Sequence, residues 1–162
     1  MSLQNTPQTL SGVSILAFES VFASTALLAR DFFHMASLRF GKQQGFGLTP
    51  TFEMRLISPD GQPCNSFSNV LLPVDGGLGA ADLIIIPAFS GDFDTLLRIY
   101  PQVTPWLQER HAAGSIICGE ANGVFWMAAA GLLDGKEATT YQRHFREFSL
   151  RFPKVQLNQD KH

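Results

Sequence analysis

The chain has 162 residues, of which 12 are Lys or Arg and 14 are Asp or Glu, giving a net charge of -2. This length is typical of one compact domain. The apolar fraction of 45% and the charged fraction of 16% exclude a disordered chain. The charge excludes the basic surplus of a nucleic-acid-binding domain, so we expect these residues not to bind DNA. Phe accounts for 14 residues, more than a core of this size needs, which predicts some Phe at a pocket or subunit interface.

The cysteine count limits the chemistry and the compartment. Cys64 and Cys118 are too few for a disulfide framework and, with four histidines, too few for a structural zinc site. A reducing compartment is the simpler interpretation, so we predict a cytoplasmic protein without a metal or cofactor. Residues 1–12 show no basic patch followed by an apolar run, which predicts no signal peptide, and no stretch is long enough for a membrane span.

The first strand and helix are predicted from the apolar pattern. Residues 13–17 (VSILA) are typical of a buried strand, and residues 18–20 of the turn after it. An amphipathic helix is predicted from Phe22 to about Leu38, before a break at residues 41–47. Its apolar residues are Leu28, Phe32 and Met35, and its opposite polar face holds Arg30, Asp31, His34 and Ser37. We expect His34 to be a solvated surface residue.

Three further strands are predicted in the middle of the chain. Residues 51–58 alternate apolar and polar side chains before a Pro-Asp-Gly turn, and residues 70–72 suggest a short strand. Residues 82–87 (DLIIIP) are apolar almost throughout, as a central strand covered on both faces requires. The pattern indicates a parallel α/β architecture.

The C-terminal half repeats the strand-turn-helix pattern. Asp94 and Thr95 are predicted to cap a short helix, and Thr104 followed by Pro105 predicts the start of the next one. The remaining predicted elements are a strand at 115–118, a sharp turn at 119–123, helices at 124–130 and 141–151, and a strand beginning at 155–157.

The turn at 119–123 is the candidate site. In open parallel sheets the ligand lies beyond the carboxyl ends of the strands, where helix N-termini point their amides at it. Here the loops at 88–92 and 119–123 meet that condition. When such an elbow is catalytic its tip is a Ser or Cys backed by a histidine. The predicted tip is Ala121, and a methyl group cannot attack a substrate.

Several neighbouring residues allow two interpretations. Cys118, at the end of an apolar strand, is predicted to be a small buried hydrophobe rather than a reactive thiol, and Cys64 a bystander in a loop. Glu120 is either a carboxylate that contacts a ligand or a charge that favours the helix N-terminus. Phe125 and Trp126 are expected in the core rather than in a pocket.

One segment carries a family resemblance. Residues 130–141 (AGLLDGKEATTY), continued by residues 152–155 (FPKV), resemble the class I glutamine amidotransferase-like (ThiJ/PfpI-like) domain at the N-terminus of AraC-family transcriptional regulators. There the stretch usually reads A-G-L-L-D-G-[RK]-x-A-T-T-H-W and follows a C-T-G elbow, whose Cys lies ten residues before the A-G glycine. Counting ten back from Gly131 reaches Ala121. The resemblance is specific from Ala130 onward and generic in the N-terminal third.

The resemblance implies a three-layer, flavodoxin-like or Rossmann-like parallel sheet with helices on both faces, over residues 13–162. It also exposes departures from the pattern. The family's elbow cysteine is replaced by Ala121, its histidine by Tyr141, and the glycines of its oxyanion loop by Ala88 and Phe89. The acidic residue that supports the thiol has no clear match, although Glu19 is close. Without nucleophile and base, we expect a binding domain and not an enzyme.

The function that the resemblance implies is effector sensing. Such a domain binds a small metabolite, an amino acid or a quaternary ammonium compound among its relatives, and forms a homodimer. Phe18, Phe89, Phe125 and Tyr141 would suit a cation over aromatic faces, with Glu120 as the counter-charge. The predicted ligand-binding residues are Phe18, Glu19, Ala88, Phe89, Glu120, Ala121, Asn122 and Tyr141.

The resemblance further implies that the domain's last strand and helix follow His162, and that DNA is bound by a helix-turn-helix domain beyond them. Two alternatives stay open. One is a stand-alone ThiJ/PfpI-like enzyme, a hydrolase or hydratase that uses Cys118 with another base. The other is a structural dimerisation module whose cleft is filled by side chains such as Phe89.

Overall fold

The computed structural model describes residues 10–160, so most of the segment on which the signal-peptide prediction rests lies outside the described residues. The strands are β1 (Gly12–Leu16), β2 (Glu53–Ile57), β3 (Cys64–Asn65), β4 (Leu71–Leu72), β5 (Leu83–Ile86), β6 (Ile116–Gly119), β7 (Glu137–Ala138) and β8 (Gln156–Leu157). The α-helices are α1 (Ala23–Gln43), α2 (Phe93–Ile99), α3 (Val103–Ala112), α4 (Val124–Ala129) and α5 (Phe145–Arg151).

Four strands form a parallel sheet in the order β2-β1-β5-β6. In β1, Ile15 lies opposite Leu56 on one side and Ile85 on the other. Successive residues of β1 and β5 are buried, so both faces of the sheet are covered. Helix α1 packs on β1 and β2, while α3 and α4 pack on β6. The predicted α/β fold with a parallel sheet between helices is confirmed.

Two small sheets lie outside the main one. β3 and β4 form an antiparallel hairpin, and β7 pairs in parallel with β8. Neither β3 nor β7 was predicted, because a strand of two residues is too short to produce an alternating pattern. None of the helices between residues 10 and 160 is long and apolar enough to cross a membrane.

Helix α1 is longer than predicted and does not stop at Leu38. It continues to Gln43 through Gly41, which is buried against the chain that follows the helix. A Cβ on Gly41 would lie 2.3 Å from the carbonyl oxygen of Thr49. Glycine is needed here for this close approach, so it does not act as the predicted helix break.

Helix α1 also buries the opposite face to the one predicted. Its buried residues are Ala26, Ala29, Ser37 and Gly41, whereas Leu28, Phe32 and Met35 are 71%, 61% and 62% exposed. The Ser37 hydroxyl accepts the backbone N–H of Thr51 at 2.7 Å and that of Phe52 at 3.1 Å. Small side chains let the helix approach the segment before β2 closely, and these hydrogen bonds compensate Ser37 for its burial. His34 is exposed, as predicted.

The start of α2 differs from the prediction because a different residue caps it. Asp92 is the N-cap, and its carboxylate accepts the backbone N–H of Thr95 at 2.8 Å. The helix therefore begins at Phe93 and not after Asp94 and Thr95.

The starts of α3 and α5 also differ. α3 begins at Val103 without a side-chain cap, so Thr104 does not have the capping role predicted for it. α5 begins at Phe145, because Gln142–His144 form a 3-10 turn where the helix was expected. α3 ends at Ala112, and Gly114 follows its C-cap Ala113 with φ of +92°, which is typical of a glycine that ends a helix.

Candidate functional site

The chain turns sharply between β6 and α4, at the carboxyl end of the sheet. Glu120 is extended, Ala121–Gly123 form one 3-10 turn, and α4 begins at Val124. Ala121 is exposed at the tip and has φ of +47°, a left-handed conformation that costs an L-residue energy. The predicted strand-turn-helix elbow with Ala121 at its tip is confirmed.

Two glycines hold this elbow against the end of β5. A Cβ on Gly123 would lie 2.2 Å from the carbonyl oxygen of Ile86, and one on Gly119 would lie 2.7 Å from the backbone nitrogen of Val124. The Glu120 N–H donates to the Ile86 carbonyl at 2.9 Å. Because no side chain fits at either glycine, the backbone fixes where the tip stands.

Asn122, directly after the tip, binds the loop that follows β5. Its Oδ1 accepts the Phe89 N–H at 3.1 Å, and its Nδ2 donates to the Phe89 carbonyl at 2.9 Å. Both residues are buried. An oxyanion hole needs free backbone N–H groups that point at the substrate oxygen. The Phe89 N–H is instead occupied by a side chain of the elbow itself.

Three of the four rings proposed for a cation cage lie in the core. Phe18, Phe89 and Phe125 are each at most 2% exposed. The Phe18 and Phe89 ring centroids are 5.6 Å apart, and Phe93 stands between Phe89, at 5.9 Å, and Phe125, at 5.4 Å. Trp126, fully buried, packs on Phe18 at 5.7 Å. The expected preference of Phe125 and Trp126 for the core is confirmed, and the buried rings pack on one another mainly edge to face.

Tyr141, the fourth ring, is at the surface. Its ring is exposed, and the Arg143 guanidinium lies over it, 5.5 Å from the centroid. Next to it, the Thr140 hydroxyl donates to the Ala121 carbonyl at 3.1 Å, which holds this segment against the elbow. The hydrogen bond from Thr140 to Ala121 was not predicted, although Thr140 lies in the segment at 130–141 that carries the family resemblance.

Glu19 is placed on the other side of the elbow by the loop after β1. Its Oε1 accepts the Asn65 N–H at 3.1 Å, and its own N–H donates to the Tyr100 hydroxyl at 3.3 Å. This loop lies beside the one after β5, since the Ser90 N–H donates to the Ser20 carbonyl at 3.0 Å. Three loops therefore meet at this end of the sheet. Tyr100 had no signal in the sequence, because only the fold brings α2 to this place.

Glu120 is the carboxylate nearest the tip and is half-buried. Its Oε2 is buried without a hydrogen-bond partner in residues 10–160, and its side chain makes no capping bond to the following turn. Burial raises the pKa of this carboxyl group above its ordinary value. Both interpretations of Glu120 stay open, because a carboxylate without a capping bond can still favour the helix N-terminus by its charge or contact a ligand beside the elbow.

The surroundings of the two cysteine thiols raise their pKa, which disfavours the thiolate that a nucleophile requires. Cys118 is exposed, so the prediction of a buried hydrophobe was wrong. The reason is that β6 is an edge strand of the sheet formed by residues 10–160, and Ile116 beside it is exposed as well. Desolvation by the surrounding protein and then the charge of Glu120 raise the pKa of the Cys118 thiol. Burial chiefly raises the pKa of Cys64 to about 11, so neither forms a thiolate readily at neutral pH.

Within residues 10–160, no hydrogen bond joins a histidine to either thiol. His144 is close in sequence to Tyr141, but its Nε2 accepts the Arg143 Nε–H at 3.0 Å and its Nδ1 lies 3.6 Å from Glu147. Between residues 10 and 160, no group of three His, Cys, Asp or Glu side chains is placed to hold a metal ion.

Known proteins that are similar to this chain in sequence or in fold include transcriptional regulators and DJ-1 superfamily proteins. No family model matches the sequence. The chain is 27% identical over 112 residues to the HTH-type transcriptional regulator CdhR of Pseudomonas aeruginosa, a match that covers 67% of this chain and 32% of CdhR. The chain thus spans about a third of the length of CdhR. It is also 27% identical over 117 residues to an uncharacterised protein of the cpoL 5' region of Streptomyces lividans, covering 70% of this chain and 80% of that protein.

Solved structures give the fold more directly. A protein from Vibrio parahaemolyticus described as a transcriptional regulator matches 94% of this chain and 78% of its own with a TM-score of 0.76 and 21% identity. An AraC family transcriptional regulator from Pseudomonas putida has a TM-score of 0.68 over 92% of this chain and 76% of its own, at 17% identity. A DJ-1 superfamily protein from Salmonella typhimurium has a TM-score of 0.68 over 93% of this chain and 75% of its own, at 16% identity. The fold is that of the DJ-1/ThiJ/PfpI proteins, as the resemblance implied.

Proposed function

We propose that this chain is a regulatory domain of an AraC-type transcriptional regulator, which has the ThiJ/PfpI fold without its catalytic chemistry, binds a small effector at the elbow and forms a homodimer. The observation that carries the proposal is the elbow itself. It keeps the strained tip of a nucleophile elbow, yet the tip is Ala121 and the N–H of Phe89 is bound by Asn122. The likeness to regulators in sequence and in fold supports the same assignment.

The effector site is proposed at the rim of the three loops. Glu19, Glu120, Ala121 and Tyr141 form the accessible part of the predicted set, because each is exposed or half-buried. The buried members, Phe18, Ala88, Phe89 and Asn122, form the floor beneath them. An uncommitted carboxylate and an exposed aromatic ring favour a cationic ligand such as an amino acid or a quaternary ammonium compound. For such a ligand to lie over Tyr141, the Arg143 guanidinium has to move away.

DNA binding is proposed for a helix-turn-helix domain outside this sequence. The net charge of -2 leaves these 162 residues without the clustered positive charge that phosphate binding requires. The proposed place of action is the cytoplasm, and no membrane partner is expected.

A thermal-shift series tests the effector site. We expect arginine, carnitine, betaine or choline to add about 2.7 kcal/mol of stability at a hundred times its dissociation constant, which raises Tm by about 5–10 °C. Glu120→Gln is expected to reduce that rise, because it removes the counter-charge. Glu53→Gln, at an exposed carboxylate on β2, serves as the matched control and is expected to leave it unchanged. No stabilisation by any of the four compounds would contradict the cationic effector.

One observation favours a second candidate, a dimerisation module that binds no effector. Phe89 and Phe18 pack on each other beneath the elbow and are at most 2% exposed, which leaves little room for a ligand between them. This candidate predicts that a wider panel of amino acids, amines and organic acids leaves Tm unchanged while the protein stays dimeric.

A further inference from the structure

The outer face of α1 carries three large apolar side chains without a covering element among residues 10–160. Leu28, Phe32 and Met35 are 71%, 61% and 62% exposed and lie one turn apart on the same side. Met35 is two positions from the buried Ser37, which places it on the side of the helix directly away from the sheet. A row of exposed large apolar residues along one helix marks an interaction surface.

The charges beside this row indicate what covers it. Asp31 and Arg39 are both exposed and lie four residues before and four residues after Met35. Neither forms an ion pair with another side chain in residues 10–160. Residues spaced by four share one face of a helix, so Asp31, Met35 and Arg39 lie in line.

We propose that α1 pairs with α1 of a second copy of this chain, antiparallel, with Met35 on the two-fold axis. A two-fold axis at residue 35 places each residue of one copy opposite the residue of the other copy for which the two numbers add up to 70. Asp31 then faces Arg39 of the second copy, and the same pair recurs on the other side of the axis. Phe32 faces Leu38, and Leu28 faces Lys42, whose aliphatic stem packs on leucine while its ammonium group stays in water.

The alternative parallel pairing is disfavoured by the same charges. Running the helices in the same direction would place Asp31 beside Asp31 and Arg39 beside Arg39, two like-charge contacts in place of two opposite-charge ones. The face is therefore complementary to itself in the antiparallel arrangement only. This inference rests on the homodimer of the proposed function and identifies its surface and its register.

Charge reversal combined with analytical ultracentrifugation tests the register. An interface of one helix from each copy is at the small end of specific contacts, so we expect a dimer at about 100 µM that dissociates on dilution. Asp31→Arg creates two like-charge contacts at once and is expected to raise Kd about tenfold or more. Arg39→Asp has the same expected effect. The double variant D31R/R39D exchanges the two charges, restores both contacts and is expected to return Kd to within about threefold of the original.

Two further variants test the surface itself. Met35→Glu places two carboxylates at the axis and is expected to give a monomer, and Leu150→Glu, at an exposed apolar residue of α5, is the matched control expected to stay dimeric. All five variants change exposed residues, and circular dichroism checks that they fold. A monomeric wild type at about 100 µM would overturn the homodimer itself. A dimer that Met35→Glu leaves intact would overturn this surface only, and a D31R/R39D protein as weak as either single variant would overturn the antiparallel register.

Discussion

Asn122 holds Phe89 at both of its backbone hydrogen-bonding groups, accepting from the N–H at 3.1 Å and donating to the carbonyl at 2.9 Å. The elbow and the loop after β5 are thereby joined by a side chain instead of by a bound substrate. The Phe89 N–H is therefore not free to bind an oxyanion. These two hydrogen bonds between Asn122 and Phe89 also contribute to the stability of the fold.

Replacing Asn122 by Ala is expected to destabilise the fold by about 2–4 kcal/mol, because it leaves the Phe89 N–H and carbonyl without partners in the core. Urea denaturation measures the change. Asn158→Ala, which removes an exposed hydrogen bond to Glu137, is the control, with an expected change within about 0.5 kcal/mol. An equally small effect at Asn122 would mean that water reaches Phe89 in the native protein.

Ala121→Gly is expected to stabilise the protein by about 0.5–1 kcal/mol. The left-handed φ of +47° costs Ala more than it costs Gly, and this gain exceeds the extra chain entropy of Gly in the unfolded state. The same substitution at Ala112, in the last turn of α3, is expected to destabilise by about 0.5–1 kcal/mol. Chemical denaturation measures the free energy of unfolding of both variants, and we expect the two changes to have opposite signs. A loss of stability in Ala121→Gly would show that the tip is not strained.

Glu120→Gln is expected to increase stability at pH 7. Burial raises the pKa of Glu120 in the folded state, so folding favours the protonated form. The stability from this proton is fully present below the ordinary value of 4.5 and is lost as pH rises through the folded-state pKa. The difference between Gln and Glu should therefore be largest near neutrality and shrink as pH falls toward 4.5.

Unfolding curves between pH 4 and pH 8 measure that difference. The exposed carboxylate of Glu53 again provides the control, since Glu53→Gln is expected to give no gain that grows with pH. A pH-independent gain at Glu120 would instead point to a packing effect of the amide.

Both thiols are expected to react slowly with iodoacetamide at pH 7, and Cys64 more slowly than Cys118. The pKa of Cys64 is about 11 and its side chain is buried, while Cys118 is exposed with a raised pKa. Mass spectrometry of the labelled peptides measures the two rates, and the urea-unfolded chain, where both should react at the rate of a free thiol, is the reference. Fast and selective labelling of Cys118 would instead support the alternative function, a ThiJ/PfpI-like enzyme that uses this thiol.

The parts of the fold that were predictable are those with a local signal. The run at 82–87 is apolar because its strand is covered on both faces, and the glycines at 119 and 123 mark a turn that no side chain could enter. The strand-turn-helix pattern favoured Ala121 as the tip, and the spacing to Gly131 that the family resemblance implies gave the same position. Each of these signals depends on residues that are close in sequence.

The parts that were not predictable depend on distant neighbours. Periodicity finds a stripe on α1, but whether Met35 or Ser37 faces the sheet depends on the segment before β2 that bonds to Ser37. The exposure of Cys118 depends on the order of strands in the sheet. That the rings of Phe18 and Phe89 are buried and meet edge to face depends on the packing of several elements, which no local pattern shows.

The buried Trp126 gives the molecule an optical reporter of its elbow. It is the third residue of α4, three residues after Gly123, and its indole is fully buried against Phe18 and Phe93. Its Nε1 has no hydrogen-bond acceptor among residues 10–160. The other tryptophan, Trp106, lies on α3 and donates its Nε1–H to the Gly79 carbonyl at 3.0 Å. With Trp106 changed to Phe, tryptophan fluorescence would come from a single indole packed on Phe18 and Phe93, and its emission would report rearrangements of this core beneath the elbow without an added label.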